Sequence, residues 1–249
     1  MRSPTGEMPF LDHLEELRTR LIWSLVVVLA LSVGGFFIVT GFDVLGILER
    51  PFHHALPDMT LQYLSPTTPI MVSLKLGFVV GIILSAPFLA WQAWAFFEPA
   101  LYEHERRMIV PAIALGFVLF LVGIAMAYFF VLPFGLDFLL GFQAESLSPM
   151  ITVDEYLRFA TRLILAFGVI FEMPVIAVLL SLIGLVSGDT LRKYRRHAVV
   201  GLAAASALLT PADVGTMLML FGPMLLLYEF SIFLVDLVGR RQRPSEASA

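Results

Sequence analysis

The sequence predicts an all-α polytopic membrane protein with six spans and both termini in the cytoplasm. Three observations carry that prediction. The 249 residues are 59% hydrophobic and only 14% charged, with a mean hydropathy of +0.88, whereas soluble domains average about 45–50% apolar and about 25% charged residues. The apolar residues fall in runs of membrane length. The Lys and Arg residues collect in alternate connecting segments.

The runs lie near 21–40, 76–97, 108–136, 157–188, 198–212 and 214–237, in a single integral membrane domain. Lipid offers the backbone no hydrogen-bond partners and no run alternates like a barrel strand, so each is a helix. The first run is a retained span. Glu7, Asp12, Glu15 and Glu16 precede it, where a cleavable signal would be basic, and no small-residue cleavage site follows. Residues 41–69 form an outer loop rich in proline, with a short interfacial helix at Asp43–Glu49. The third run, Met108–Leu136, is long enough to cross with tilt. Thr152 and Glu155 make a capping-box pattern where the fourth begins. Glu172 interrupts that span, and Pro174 two residues on removes a helix hydrogen bond and predicts a kink.

The fifth run, Ala198–Ala212, is short. Fifteen residues rise roughly 22 Å against a hydrocarbon core of about 30 Å. Thr210-Pro211-Ala212-Asp213 then turns the chain. A re-entrant loop is the alternative. A true hairpin is preferred because it puts the flanking basic clusters on one face. Glu229 interrupts the sixth run near its cytoplasmic end, where it can snorkel. Residues 239–249 read as a disordered tail.

Orientation follows from the basic residues. Six spans put both termini on one side, with Arg2, Arg18, Arg20, Arg106 and Arg107, the cluster Arg192, Lys193, Arg195 and Arg196, and Arg240, Arg241 and Arg243. The other side keeps only Arg50, Lys75, Arg158 and Arg162. The basic side is cytoplasmic.

Composition also excludes functions. With no cysteine, thiolate metal sites, disulfides and cysteine nucleophiles are out. A net charge of −4 argues against nucleic acid. His53 and His54 are adjacent and have no carboxylate at ligand spacing, so no metal or other cofactor is expected. No P-loop, nucleophile elbow or zincin motif is present, so enzymatic apparatus is missing.

The cytoplasmic acids need a reason. Residues 2–20 and 98–107 are each slightly acidic, whereas 189–197 are strongly basic. Carboxylates contribute little to topology. Two acid-bearing segments on one face suit a cationic ligand, and a carboxylate takes a guanidinium bidentately. A blander account also stands. Pro9–Arg20 has a helical face of Phe10, Leu14, Leu17 and Leu21, with Glu15–Arg18 and Glu16–Arg20 as surface pairs. Glu103 and Glu105 can likewise pair with Arg106 and Arg107. For Glu172 the choices are a structural hydrogen bond, a contact for another membrane helix, or a proton relay.

Five segments together resemble the TatC family, the signal-peptide-receptor subunits of the twin-arginine protein translocase. They are His13–Leu21, Ser85–Arg107 (SAPFLAWQAWAFFEPALYEHERR), Ala166–Val175, Leu191–Arg195 and Leu208–Val214. The resemblance implies six helices with a short fifth and sixth. It implies receptor glutamates at Glu16 and Glu105, with Arg18, Phe96, Pro99 and Arg107 at positions the family also depends on. Pro51 matches an important outer-loop proline. Glu172 matches a polar position that meets a single-span subunit, and Thr210, Pro211 and Asp213 fall where another such subunit docks. Glu98 and Glu103 stand where other members often carry neutral or basic residues.

The expected function is therefore a non-enzymatic receptor and scaffold in the inner membrane of a prokaryote. It would bind Arg-Arg signal peptides of folded proteins and organise single-span TatA- and TatB-type subunits. It would form a homo-oligomer within a complex and export by the proton-motive force. The rival is a proton-coupled small-solute transporter using Glu172. One central acid and the absence of two related halves speak against it.

Overall fold

A computed structural model describes residues 10–57, 59–97, 109–141, 150–210 and 214–242. Helix α1 (Phe10–Gly41) runs unbroken through the charged entry segment and the first apolar run. Within α1 no proline or glycine falls before Gly34, so nothing separates an interfacial helix from the span. Helix α3 (Thr68–Phe97) packs along α1. Their seam is backbone against backbone. A Cβ on Gly77 would stand 2.8 Å from Phe36 Cα, and one on Gly81 would stand 2.5 Å from Ser32 Cα. Close-packing of this kind is how membrane helices associate without a hydrophobic drive. Away from the seam α1 exposes Leu21, Leu25, Leu29, Val33 and Phe37, the surface a lipid-facing helix presents.

Helix α2 (Val44–Ala55) caps the outer end. Asp43 starts it by accepting a hydrogen bond from Gly46 N at 3.1 Å. The helix outruns the expected Asp43–Glu49 and passes straight through Pro51, which is buried. Proline has no N–H for the carbonyl four residues back. That carbonyl belongs to Ile47, and Tyr128 Oη donates to it at 2.6 Å. Tyr156 Oη donates to the next carbonyl, Leu48, at 2.5 Å. Phe52 is fully buried beside Tyr156, with ring centroids 5.5 Å apart. Burial pushes the Glu49 carboxyl up, against the opposing pull of His53 at 3.9 Å. Two further ties close the outer rim. Gln62 exchanges backbone bonds with Ile151 and Val153, and Lys75 Nζ meets Asp154 at 2.6 Å.

The third span is one irregular helix: α4 (Ile109–Met126), a wide π turn (Ala127–Val131) and α5 (Leu132–Gly141). The widened turn precedes Pro133, where the normal bonding ladder cannot continue. Helix α6 (Val153–Phe171) begins at Thr152, whose Oγ1 accepts from Glu155 N at 3.3 Å. It crosses α4 where Gly123 abuts Phe171 and Gly168 abuts Phe120. Ala160, Leu163 and Phe167 are buried there with Leu132 and Leu220.

The chain breaks at Glu172 and resumes as α7 (Met173–Leu182), with Pro174 in its first turn. The helix ends at Leu182, six residues before the expected 188, and the chain turns at Gly184, whose φ of 76° suits glycine. A short α8 (Gly188–Lys193) leads into α9 (Arg195–Leu209). Helix α10 (Val214–Gln242) continues past Val238, into the stretch expected to be tail. Arg192 bridges Asp189 and Asp236, and Arg195 Nη2 meets Glu229 Oε2 at 2.5 Å. Glu229 is thus paired rather than snorkelling free.

Five spans are long and apolar enough to cross a membrane: α1, α3, α4–α5, α6–α7 and α10. The 15-residue α9 is the short sixth. No strand forms among the described residues beyond the isolated bridge of Gln62 with Thr152.

Candidate functional site

At the cytoplasmic end, α1 and α3 frame an open groove of about 550 Å³. Asp12, Glu15, Glu16, Thr19, Arg20 and Trp23 come from α1, and Gln92 from α3. Helical spacing puts Asp12, Glu16 and Thr19 on one face with Trp23 beyond them. Three carboxylates against one guanidinium make the groove net negative.

Glu16 is the organised member, its side chain 21% exposed. Arg20 grips a single oxygen, Oε1, with Nε at 2.8 Å and Nη2 at 2.5 Å. Arg20 Nη1 is held in turn by Gln92 Oε1 at 3.1 Å. Among the described residues, Oε2 is buried without a hydrogen-bond partner. His13 Nδ1 lies 3.8 Å from it, beyond hydrogen-bond reach. The His13 ring stacks on Phe96 at 4.2 Å with an 18° interplanar angle. A carboxylate oxygen without a donor is costly, so a second guanidinium is favoured there.

Glu172 is arranged differently. It caps α6 at the break, and its carboxylate lies over Gly116 of α4, where a Cβ would stand 2.8 Å from Oε2. Among the described residues its side chain makes no hydrogen bond or ion pair. An unpaired acid inside a span calls for a partner.

Of the residues singled out from sequence, Glu16 and Phe96 come together through His13. Arg18 is exposed and does not line the groove. Pro51 belongs to a helix rather than an irregular loop. Thr210 is buried at the end of α9, its Oγ1 donating to Ser206 O at 2.9 Å. Pro99, Glu105, Arg107, Pro211 and Asp213 lie outside the described residues. The sequence reading missed Gln92, although a lone amide among the apolar residues of α3 was a visible signal. It also missed Gly116, which no local pattern marks. Among the described residues no His, Asp and Glu cluster could hold a metal.

Comparison with known proteins bears on the family and the fold. The profile of the Sec-independent protein translocase protein (TatC) family matches residues 12–223. The TatC protein of Aquifex aeolicus is 39% identical over 238 residues, covering 95% of this chain and 98% of that one. The Escherichia coli K12 protein is 37% identical, covering 93% and 89%. A crystal structure of the twin arginine translocase receptor TatC superposes with a TM-score of 0.81 at 39% identity, covering 92% of this chain and all of that one.

Proposed function

The chain belongs to the TatC family, and on that premise we propose that it is the receptor and core scaffold of a twin-arginine translocase in a prokaryotic inner membrane. It works as a receptor and translocase component rather than as an enzyme. Signal peptides and partner translocase subunits are its ligands. Its relatives favour this over solute transport.

The observation that carries the mechanism is the half-satisfied Glu16. Arg20 and Gln92 fix the carboxylate and leave Oε2 without a donor. One guanidinium of the signal's Arg-Arg pair docks there by a charge-assisted hydrogen bond, displacing His13 from its stack on Phe96. Glu105, from the segment after α3, supplies the second carboxylate. Pro99 and Arg107 contribute to the same binding, and Arg18 steers from the exposed side of α1. The apolar part of the signal then lies along the membrane face of the α1–α3 pair.

Glu172 takes a polar side chain from a single-span TatA-type helix. The largely uncovered α9, with Thr210, Pro211 and Asp213 at its tip, seats a TatB-type helix. Copies of the receptor assemble around these subunits, and the proton-motive force drives transport. A photo-cross-linker at Thr19, which lines the groove without pairing, tests the receptor reading. Capture of a twin-Arg signal peptide is expected, falling sharply with Glu16→Gln or Glu105→Ala. Equal loss for every basic peptide would indicate a diffuse surface potential and overturn the proposed docking.

A further inference from the structure

Helix α6 carries two arginines that the receptor mechanism does not use. Arg158 and Arg162 are one turn apart on one face, and both are exposed. Among the described residues neither makes an ion pair or a hydrogen bond. Of the acids nearby, Asp154 is engaged by Lys75. Glu155 lines the same groove but pairs with neither arginine. The groove, about 220 Å³, is completed by Phe159 and Leu209.

Its depth gives it meaning. At ~1.5 Å per residue, Arg158 and Arg162 lie about 8 and 14 Å inward of Val153, the outer end of the helix. The span Val153–Leu182 has 30 residues, or about 45 Å against a core of ~30 Å, so some 15 Å overhangs. With that overhang shared between the ends, Arg158 sits at the headgroup boundary and Arg162 just below it. Leu209 fixes the level independently. It ends α9, whose 15 residues rise only about 22 Å from the cytoplasmic side. The two guanidiniums therefore stand beside the sunken tip of the short hairpin, on the outer face.

Unpaired guanidiniums at this level are costly and repel one another, and a phosphate between them relieves both penalties. We propose that Arg158 and Arg162 bind the phosphate of an anionic phospholipid of the outer leaflet, beside the end of α9. The planar fork suits phosphate better than an ammonium does. The aliphatic stems and Phe159 and Leu209 contact the acyl chains, as at other snorkelling sites. A phosphate held there draws the outer leaflet down over α9, which is too short to reach it unaided.

The test is native mass spectrometry of the full chain released from nanodiscs of phosphatidylglycerol and phosphatidylethanolamine. The parent is expected to retain phosphatidylglycerol. Arg158→Gln/Arg162→Gln, which removes membrane charge and should not hinder insertion, is expected to lose one retained copy, with apparent affinity down about tenfold or more. Arg158→Lys/Arg162→Lys should keep part of it. Lys193→Gln/Arg196→Gln, on the cytoplasmic rim, should leave that copy in place. Equal retention by parent and double-Gln variant overturns the proposal, as does a parent that retains none. If the double-Gln variant keeps its lipid but sheds a co-purifying single-span subunit, the pair recognises a partner's acid and the proposal falls.

Discussion

The outer cap and the cytoplasmic groove use polar groups in opposite ways. At the cap, the carbonyl that Pro51 strips of its donor is given one by Tyr128, and Tyr156 serves the carbonyl beside it. At the groove, Glu16 has one oxygen gripped by Arg20 and the other left bare. Satisfied groups brace a scaffold, and an unsatisfied group placed by satisfied neighbours makes a receptor. The same residue type shows the contrast: Arg192 and Arg195 lock α8 and α9 to α10, whereas Arg20 spends its donors on aiming a carboxylate.

The largest effect expected is on binding. Glu16→Ala should weaken a twin-Arg peptide by about 30-fold or more, the scale of one charge-assisted hydrogen bond of ~2–3 kcal/mol. Thermal stability should change little, because the Glu16–Arg20 pair lost with it is a partly exposed i,i+4 pair, of a kind worth about 0.3–0.5 kcal/mol. A fall in melting temperature without loss of binding would erase the contrast between the two regions. The mirror experiment is Tyr156→Phe. It should destabilise by about 0.5–1.5 kcal/mol, the net worth of the hydrogen bond that Leu48 O accepts from Tyr156 Oη, and should leave peptide affinity unchanged in the folded fraction.

A sharper probe of the cap pairs Tyr128→Phe with Pro51→Ala. Alanine restores an N–H for Ile47 O, so Tyr128→Phe should cost about 1 kcal/mol in the parent and less in the Pro51→Ala background. Additive costs would mean that Tyr128 does not replace the missing donor. Gln92→Leu, which releases Arg20 Nη1, should weaken peptide binding about threefold by loosening the aim of Glu16.

The smallest effect is a pH dependence at the cap. Burial raises the Glu49 carboxyl above its ordinary value, so the fold favours its protonated form. That contribution is fully present below the ordinary pKa and is lost as pH rises through the raised one. Glu49→Gln should therefore match the parent at low pH and exceed it slightly at neutral pH, within about 0.5 kcal/mol. A chemical melt at two pH values would show it.

Much of this was legible in the sequence, for identifiable reasons. Runs of apolar residues mark spans because lipid forbids other structures, and the cap at Thr152 and the break near Pro174 are local chemistry. Glu16 and Arg20 share a helix, so their spacing exposed the pair. What spacing could not reveal lies between elements. Tyr128 and Pro51 are 77 positions apart in sequence, and the continuation of α2 through Pro51 depends on that distant hydroxyl. Gln92 reaches Arg20 only because glycines at 77 and 81 bring α3 against α1. The end of α10 was misjudged for another reason: its last charged residues extend an existing helix, and composition alone reads them as tail.

The central claim is that Glu16 reads a guanidinium, not merely a positive charge. The direct measurement is the affinity of parent and Glu16→Gln, in nanodiscs, for one signal peptide carrying either Arg-Arg or Lys-Lys. The parent should prefer Arg-Arg by about tenfold or more, and Glu16→Gln should reduce that preference to near unity. An undiminished preference in the variant would contradict the account.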